Sequence, residues 1–183
     1  MSETINYGPL HNLIGTWTGD KGLDIAPEPE GEERNPYYET ITFSECNDVT
    51  NAEEQKLIFI QYRQVVRRKS TDKVFHDESG YWMWEPDSDK ISHSFSIPRG
   101  ICVLAEGSYK TDSNESVLFV ESGHNDQWPI TQSPFMINKA KTTGFQRKFV
   151  VDKNKLKYTQ IMNLEIYGRE FEHKDQNELT LIK

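Results

Sequence analysis

Cysteine is scarce: Cys46 and Cys102 are the only two in 183 residues. They are too few for a disulfide scaffold and too far apart in sequence for a redox or zinc pair, so two unpaired thiols in a reducing compartment are expected. A cationic excess is also missing. Lys plus Arg total 21 against 29 for Asp plus Glu, a net charge of −8 with pI near 5.2. Binding to nucleic acid draws on the opposite sign, because cations must release the counterions of the phosphates. The one basic run, Arg67-Arg68-Lys69, follows an apolar stretch and reads as a solvated strand end. Long apolar runs are absent as well: Ile101 to Ala105 is the longest, far short of a membrane span, and Met1 to Gly15 has neither a basic nor an apolar leader region. A cytoplasmic, soluble protein with no nucleic-acid or membrane partner is the expectation.

What is abundant is aromatic and β-branched residues in short alternating runs. Aromatics make up 11% of the chain, too many for a disordered one, and 183 residues suit one domain spanning 1–183. About ten strands are predicted, near 14–23, 37–46, 56–67, 74–85, 90–98, 100–111, 115–122, 143–152, 155–167 and 178–182. Pro86-Asp87-Ser88-Asp89, Pro98-Arg99-Gly100 and Asp152-Lys153-Asn154 supply turn residues between them. No segment carries a sustained helical period, and strands this numerous must stack or close. The predicted fold is all-β: a single closed antiparallel up-and-down barrel, like the lipocalins and fatty-acid-binding proteins. Leu57 to Tyr62 is apolar on both faces, which suits cover by a terminal element or a partner in a homodimer. Asp24 to Pro36, with three prolines and five acids, is predicted as an exposed loop at one mouth. Gly123 to Lys141, carrying Trp128, Phe135 and Met136, is predicted to fold back as a lid.

Gly15-Thr16-Trp17 fits the first strand of such a barrel, with the indole plugging the closed end. Further segments follow in order: Pro9-Leu10, Leu13 to Gly19, Tyr38 to Phe43, Phe75 to Trp82, Ile97-Pro98-Arg99-Gly100-Ile101 and Leu156 to Met162. As an ordered set, from Pro9 to the last strand, the chain resembles the nitrobindin family of haem-binding β-barrels. The resemblance implies a ten-stranded barrel holding haem b at one mouth. It also implies an iron-binding histidine near the C-terminus, ferric haem that binds nitric oxide, and isomerisation of peroxynitrite to nitrate. The chain departs from the family pattern in three places. Gly168 to Lys174 is one residue shorter, lacks a proline and has lysine after the histidine; Gly19-Asp20-Lys21-Gly22 is one residue longer; and the acidic segment precedes Tyr37.

By that resemblance His173 is the metal ligand, while Thr40, His76 and Met162 join it as cofactor-binding residues. Each also has a plainer reading. Acids and Lys174 surround His173, as in a solvated loop. His76 shares a face with Gly80, Trp82 and Trp84, as a satisfied interior residue would, Met162 shares one with Leu156 and Leu164 as core, and Thr40 suits any strand. His93 reads as interior without a role, and His11 and His124 as surface. Alternation sends Asp77 to the face opposite His76 and Glu78, which argues against a metal cluster there. No nucleophile elbow, P-loop, dinucleotide fingerprint or zinc helix is present. A metal-free carrier of an apolar small molecule is the alternative function.

Overall fold

The computed structural model describes residues 5–112, 115–123 and 128–182. Among the described residues the strands are β1 (Gly15–Pro27), β2 (Glu32–Asn51), β3 (Gln55–Arg68), β4 (Val74–Trp84), β5 (Lys90–Ile97), β6 (Ile101–Thr111), β7 (Glu115–Ser122), β8 (Thr131–Gln132), β9 (Ala140–Asp152), β10 (Lys155–Ile166) and β11 (Arg169–Ile182), with one α-helix, α1 (Pro134–Lys139). Their order is β5-β4-β3-β2-β1-β11-β10-β9-β7-β6, and β5 pairs with β6 to close the ring, so ten antiparallel strands form the barrel and the two-residue β8 rides on the edge of β6. Alternation decides what faces inward. Along β10, Leu156, Tyr158, Gln160, Met162 and Leu164 are buried while Lys155, Lys157 and Thr159 are exposed. Among the described residues no helix is long and apolar enough to cross a membrane.

One end of the barrel is plugged. A 3-10 helix, Gly8–Leu13, buries Pro9, Leu10 and Leu13, and the Trp17 indole, wholly buried as its motif predicts, donates to the Leu13 carbonyl at 2.7 Å. Both cysteines are free. The outer apolar face of β3 meets neighbouring side chains: Phe59 packs edge-on against Tyr81 of β4, ring centres 5.7 Å apart. Close approach on the inside depends on Gly80, where a Cβ would lie 1.9 Å from the Ser94 carbonyl oxygen of β5. That atom belongs to the backbone and cannot step aside. Gly80→Ala is therefore expected to cost about 1–3 kcal/mol, lowering the melting temperature by about 2–4 °C per kcal/mol; calorimetry checks it.

Two expectations about the open end need correcting. Asp24 to Pro36 is not an exposed loop: β1 runs on to Pro27 and pairs with β2 from Leu23↔Pro36 to Pro27↔Glu32, leaving only 28–31 as the turn. Pro36 is tolerated beside the bulge between Gly19 and Gly22, where the ladder is already interrupted, and the inward positions Asp24 and Asn35 bond each other at 3.0 Å. The last strand is also longer than predicted, starting at Arg169, so His173 lies within β11 opposite Met162 and not in a loop. Alternation was present there but carried by polar residues. Of the segment 123–141, the described residues 128–141 do fold back. Ser133 caps α1 by accepting from the Met136 amide at 3.3 Å, and its own amide donates to the Gly100 carbonyl at 2.8 Å. His124 lies outside the described residues.

Candidate functional site

At the end opposite the plug, the barrel opens into a cavity of about 280 Å³. Its walls include the apolar side chains of Val66, Phe75, Ile97, Ile101, Met162 and Leu164, with Met136 of α1 at the rim. Arg68 and Arg99 stand at the mouth; the Arg68 guanidinium lies 5.2 Å from the centre of the Phe75 ring and 3.6 Å from Glu33. Far from a solvated strand end, Arg68 turns inward to donate to Asn35.

Three of the four candidate residues meet here. His173 and Met162, paired across β10 and β11, line one wall, and His76 lines the other from β4, four strands away around the ring. Thr40 is not brought in. It is exposed on the outer face of β2, because its neighbours Glu39 and Ile41 take the inward positions.

His173 Nε2 is 2.6 Å from Asp24 Oδ1 and 3.9 Å from Asp175 Oδ2. Burial works against its charge, but the Asp24 hydrogen bond and the fields of Asp175 and Asp24 outweigh it and raise the pKa above the ordinary value. The donor atoms of Asp24, His173 and Asp175 lie within 4.8 Å of one another, so this corner has the chemistry to hold a metal through imidazole with carboxylate support. On the facing wall, His76 Nε2 lies 3.4 Å from Glu78 Oε2. Thr142, 2% exposed, also lines the cavity, and its hydroxyl oxygen has no hydrogen-bond partner among the described residues.

The family model of the THAP4-like haem-binding β-barrel domain matches residues 6–180. The chain belongs to that family. The crystal structure of Rv2717c from M. tuberculosis is similar in fold, with a TM-score of 0.71 at 20% sequence identity over 95% of each chain. No curated protein matches the chain.

Beneath the mouth cavity lies a polar floor that the histidines alone do not reveal. Arg147 of β9, 1% exposed, donates from Nη1 and Nη2 to the two oxygens of Glu78 at 2.7 and 3.2 Å and from Nε to Gln160 Oε1 at 2.8 Å. Gln160 in turn donates to Asp175 at 3.3 Å. Burial raises the Glu78 carboxyl, yet Arg147 and His76 hold it well below the usual carboxylate range. The signal was the period-two face itself, which sets Arg147 between Phe145 and Phe149 and Glu78 between His76 and Gly80. Asp77 points outward, as alternation predicts, to a two-bond contact with Arg63 at 3.0 and 2.7 Å. His93 is interior, stacked on Trp82 at 4.2 Å with Nε2 on the Tyr62 hydroxyl at 2.8 Å; burial drives its pKa well below the ordinary value and leaves it neutral. His11 is exposed.

A second buried carboxyl, Glu39, accepts from Gln64 at 2.6 Å, Asn177 at 2.7 Å and Tyr158 at 3.1 Å. Burial outweighs those donors and pushes its pKa up to about 7 from an ordinary 4.5. Between those values the folded protein keeps a proton that the unfolded chain has released. Stability is therefore expected to fall as pH rises through this window, by about 3 kcal/mol in all. Urea unfolding at pH 5 and pH 7.5 should show the decline, and Glu39→Gln, uncharged throughout, should flatten it.

Proposed function

We propose that the chain, residues 1–183, binds haem b in the mouth cavity with His173 as iron ligand, and that the loaded protein binds nitric oxide or isomerises peroxynitrite to nitrate. The observation that carries this reading is His173 on the cavity wall beside Met162, with a carboxylate on its ring nitrogen. An imidazole that holds iron through one nitrogen needs an acceptor for the other, and Asp24 at 2.6 Å supplies it. The rest of the cavity suits the group too. Apolar side chains match the macrocycle, Arg68 and Arg99 at the mouth match its carboxylates, and the unpartnered Thr142 hydroxyl calls for a polar atom from outside the protein. At about 280 Å³ the cavity encloses such a group only in part. When bound, ferric haem supplies an open coordination position, where nitric oxide binds or peroxynitrite rearranges to nitrate without consuming another reactant. The protein's share is to hold the group through His173, wall it with apolar side chains and set His76 opposite. Two free cysteines suit a reducing cytoplasm.

Titration of the purified protein with hemin tests the reading. A Soret band sharpened and shifted from that of free hemin is expected at micromolar concentration, together with faster peroxynitrite decay and a higher yield of nitrate than without protein. An unchanged hemin spectrum would overturn it, and uptake of a fluorescent fatty acid in its place would assign the cavity to an apolar carrier.

A further inference from the structure

We propose that Glu78, clamped by Arg147, is the positioning residue for His76: it holds the ring proton on Nε2 and leaves Nδ1 as the hydrogen-bond acceptor that His76 offers a ligand in the cavity. The role of that acceptor towards a haem ligand rests on the function proposed above; the arrangement of the ring does not.

His76 and Glu78 stand two residues apart on one face of β4. Only His76 reaches the cavity: its side chain is 20% exposed, whereas that of Glu78 is 0% exposed. The nitrogen of His76 that faces the carboxylate is Nε2, at 3.4 Å from Oε2. A carboxylate that is free to turn or to take up a proton would impose little on its neighbour. This one can do neither. Arg147 takes both of its oxygens, the Tyr62 hydroxyl donates to Oε1, and the guanidinium is itself fixed by Gln160 and by the rings of Phe95, Phe145 and Phe149, whose centres lie 5.2, 5.4 and 5.9 Å away. Glu78 thus presents a permanent negative charge to Nε2. In a neutral imidazole one nitrogen carries hydrogen and the other accepts, so a fixed acceptor beside Nε2 selects the Nε2–H tautomer and leaves Nδ1 as the acceptor.

The arrangement has an energetic rationale. A buried ion pair adds little net stability, since apolar residues of similar volume in its place are often neutral or better. A carboxylate kept ionised next to a cavity histidine does have a definite consequence, because it decides whether the ring donates or accepts. A ligand that arrives with a proton, such as hydrogen cyanide or peroxynitrous acid, then meets an acceptor. Such ligands lose the proton when their anion binds a metal, and Nδ1 of His76 can take it.

Two measurements test this. In the apo protein, long-range proton–nitrogen correlation spectra of histidine-labelled samples should show His76 with hydrogen on Nε2. The variant E78L/R147M replaces both charges with apolar side chains of similar size, so that neither charge is left buried alone, and it should give mixed tautomers. A wild-type His76 protonated on Nδ1, or a tautomer unchanged in E78L/R147M, would overturn the proposal, and this holds whether or not haem binds. In the hemin-loaded protein, cyanide association should slow about tenfold in H76F and by a smaller factor in E78L/R147M, where part of His76 still offers Nδ1 as acceptor, and the combined variant should be no slower than H76F. Slowing that instead multiplies in the combined variant would show that Glu78 and Arg147 act independently of His76, and the positioning role would fall. If hemin fails to bind, the haem reading fails while the tautomer result still decides the role of Glu78.

Discussion

His173→Ala is expected to lose hemin binding, with the Soret band reverting to that of free hemin and apparent affinity falling by at least a hundredfold. The size follows from the lack of a substitute. Among the other histidines of the described residues, His76 faces the cavity from the opposite wall beside Glu78, His93 is fully buried against Trp82, and His11 is on the surface. A thermal readout makes the experiment independent of colour. Ligand at a hundred times its dissociation constant stabilises the folded state by about 2.7 kcal/mol, or about 5–10 °C for a domain of this size. The wild type should show that shift with hemin and His173→Ala should not. The effect should also follow acidity in one direction. Iron needs an unprotonated nitrogen, and Asp24 and Asp175 raise the pKa of His173, so affinity should weaken as pH falls through that raised value and protons compete for the ring. Asp24→Asn should shift this loss to lower pH while weakening binding near neutrality, because the ring loses its carboxylate acceptor. Retention of the full spectrum in His173→Ala would move the iron to another residue.

The elements legible in the sequence are those whose inward positions are apolar. Gly15-Thr16-Trp17 announces the plugged end, and the Trp17 indole is found bonded to the plug helix. Turns rich in proline, aspartate and asparagine mark the hairpins, and the closed antiparallel barrel follows from the number and spacing of the strands. Where the inward positions turn polar, the same alternation goes unheard. On β11, Phe171, His173, Asp175, Asn177 and Leu179 share one face, but three polar residues in the middle made the segment read as loop. The acids of 24–36 hid a hairpin for the same reason: Asp24 and Asn35 face each other inside and Glu33 lines the cavity, while Glu28, Glu30, Glu32 and Arg34 are exposed. His173 and His76 could be singled out by chemistry and resemblance, whereas their partners could not. Asp24 is 149 residues from His173, and Arg147 is 69 from Glu78. Only closure of the ring makes them neighbours. Thr40 shows the opposite limit: a motif fixed its position in the chain but not its face of the sheet.

Arg147→Met should be the most destabilising of the single substitutions considered. It leaves Glu78 ionised in the barrel interior, without the guanidinium that offsets its desolvation and beside a Gln160 that has lost its donor. Removing one member of a buried pair costs about 3–5 kcal/mol, which for a chain of this length lowers the melting temperature by about 6–20 °C. The carboxyl can escape part of the penalty by taking up a proton, and that gives the prediction a pH signature. In the wild type the Glu78 carboxyl sits below its ordinary value, so its contribution is present at neutral pH and is lost as pH falls through the carboxylate range towards the lowered value. In Arg147→Met burial acts on Glu78 with only His76 and the Tyr62 hydroxyl to oppose it, its pKa rises, and the variant should be least stable near neutrality and recover relative to wild type as pH drops towards 5. E78L/R147M removes the charge as well as its partner and should regain most of the loss at every pH. A single variant as stable as the wild type at pH 7 would mean that water reaches Glu78. A double variant no better than Arg147→Met would mean that the loss comes from packing against Phe95, Phe145 and Phe149 and not from the uncompensated charge.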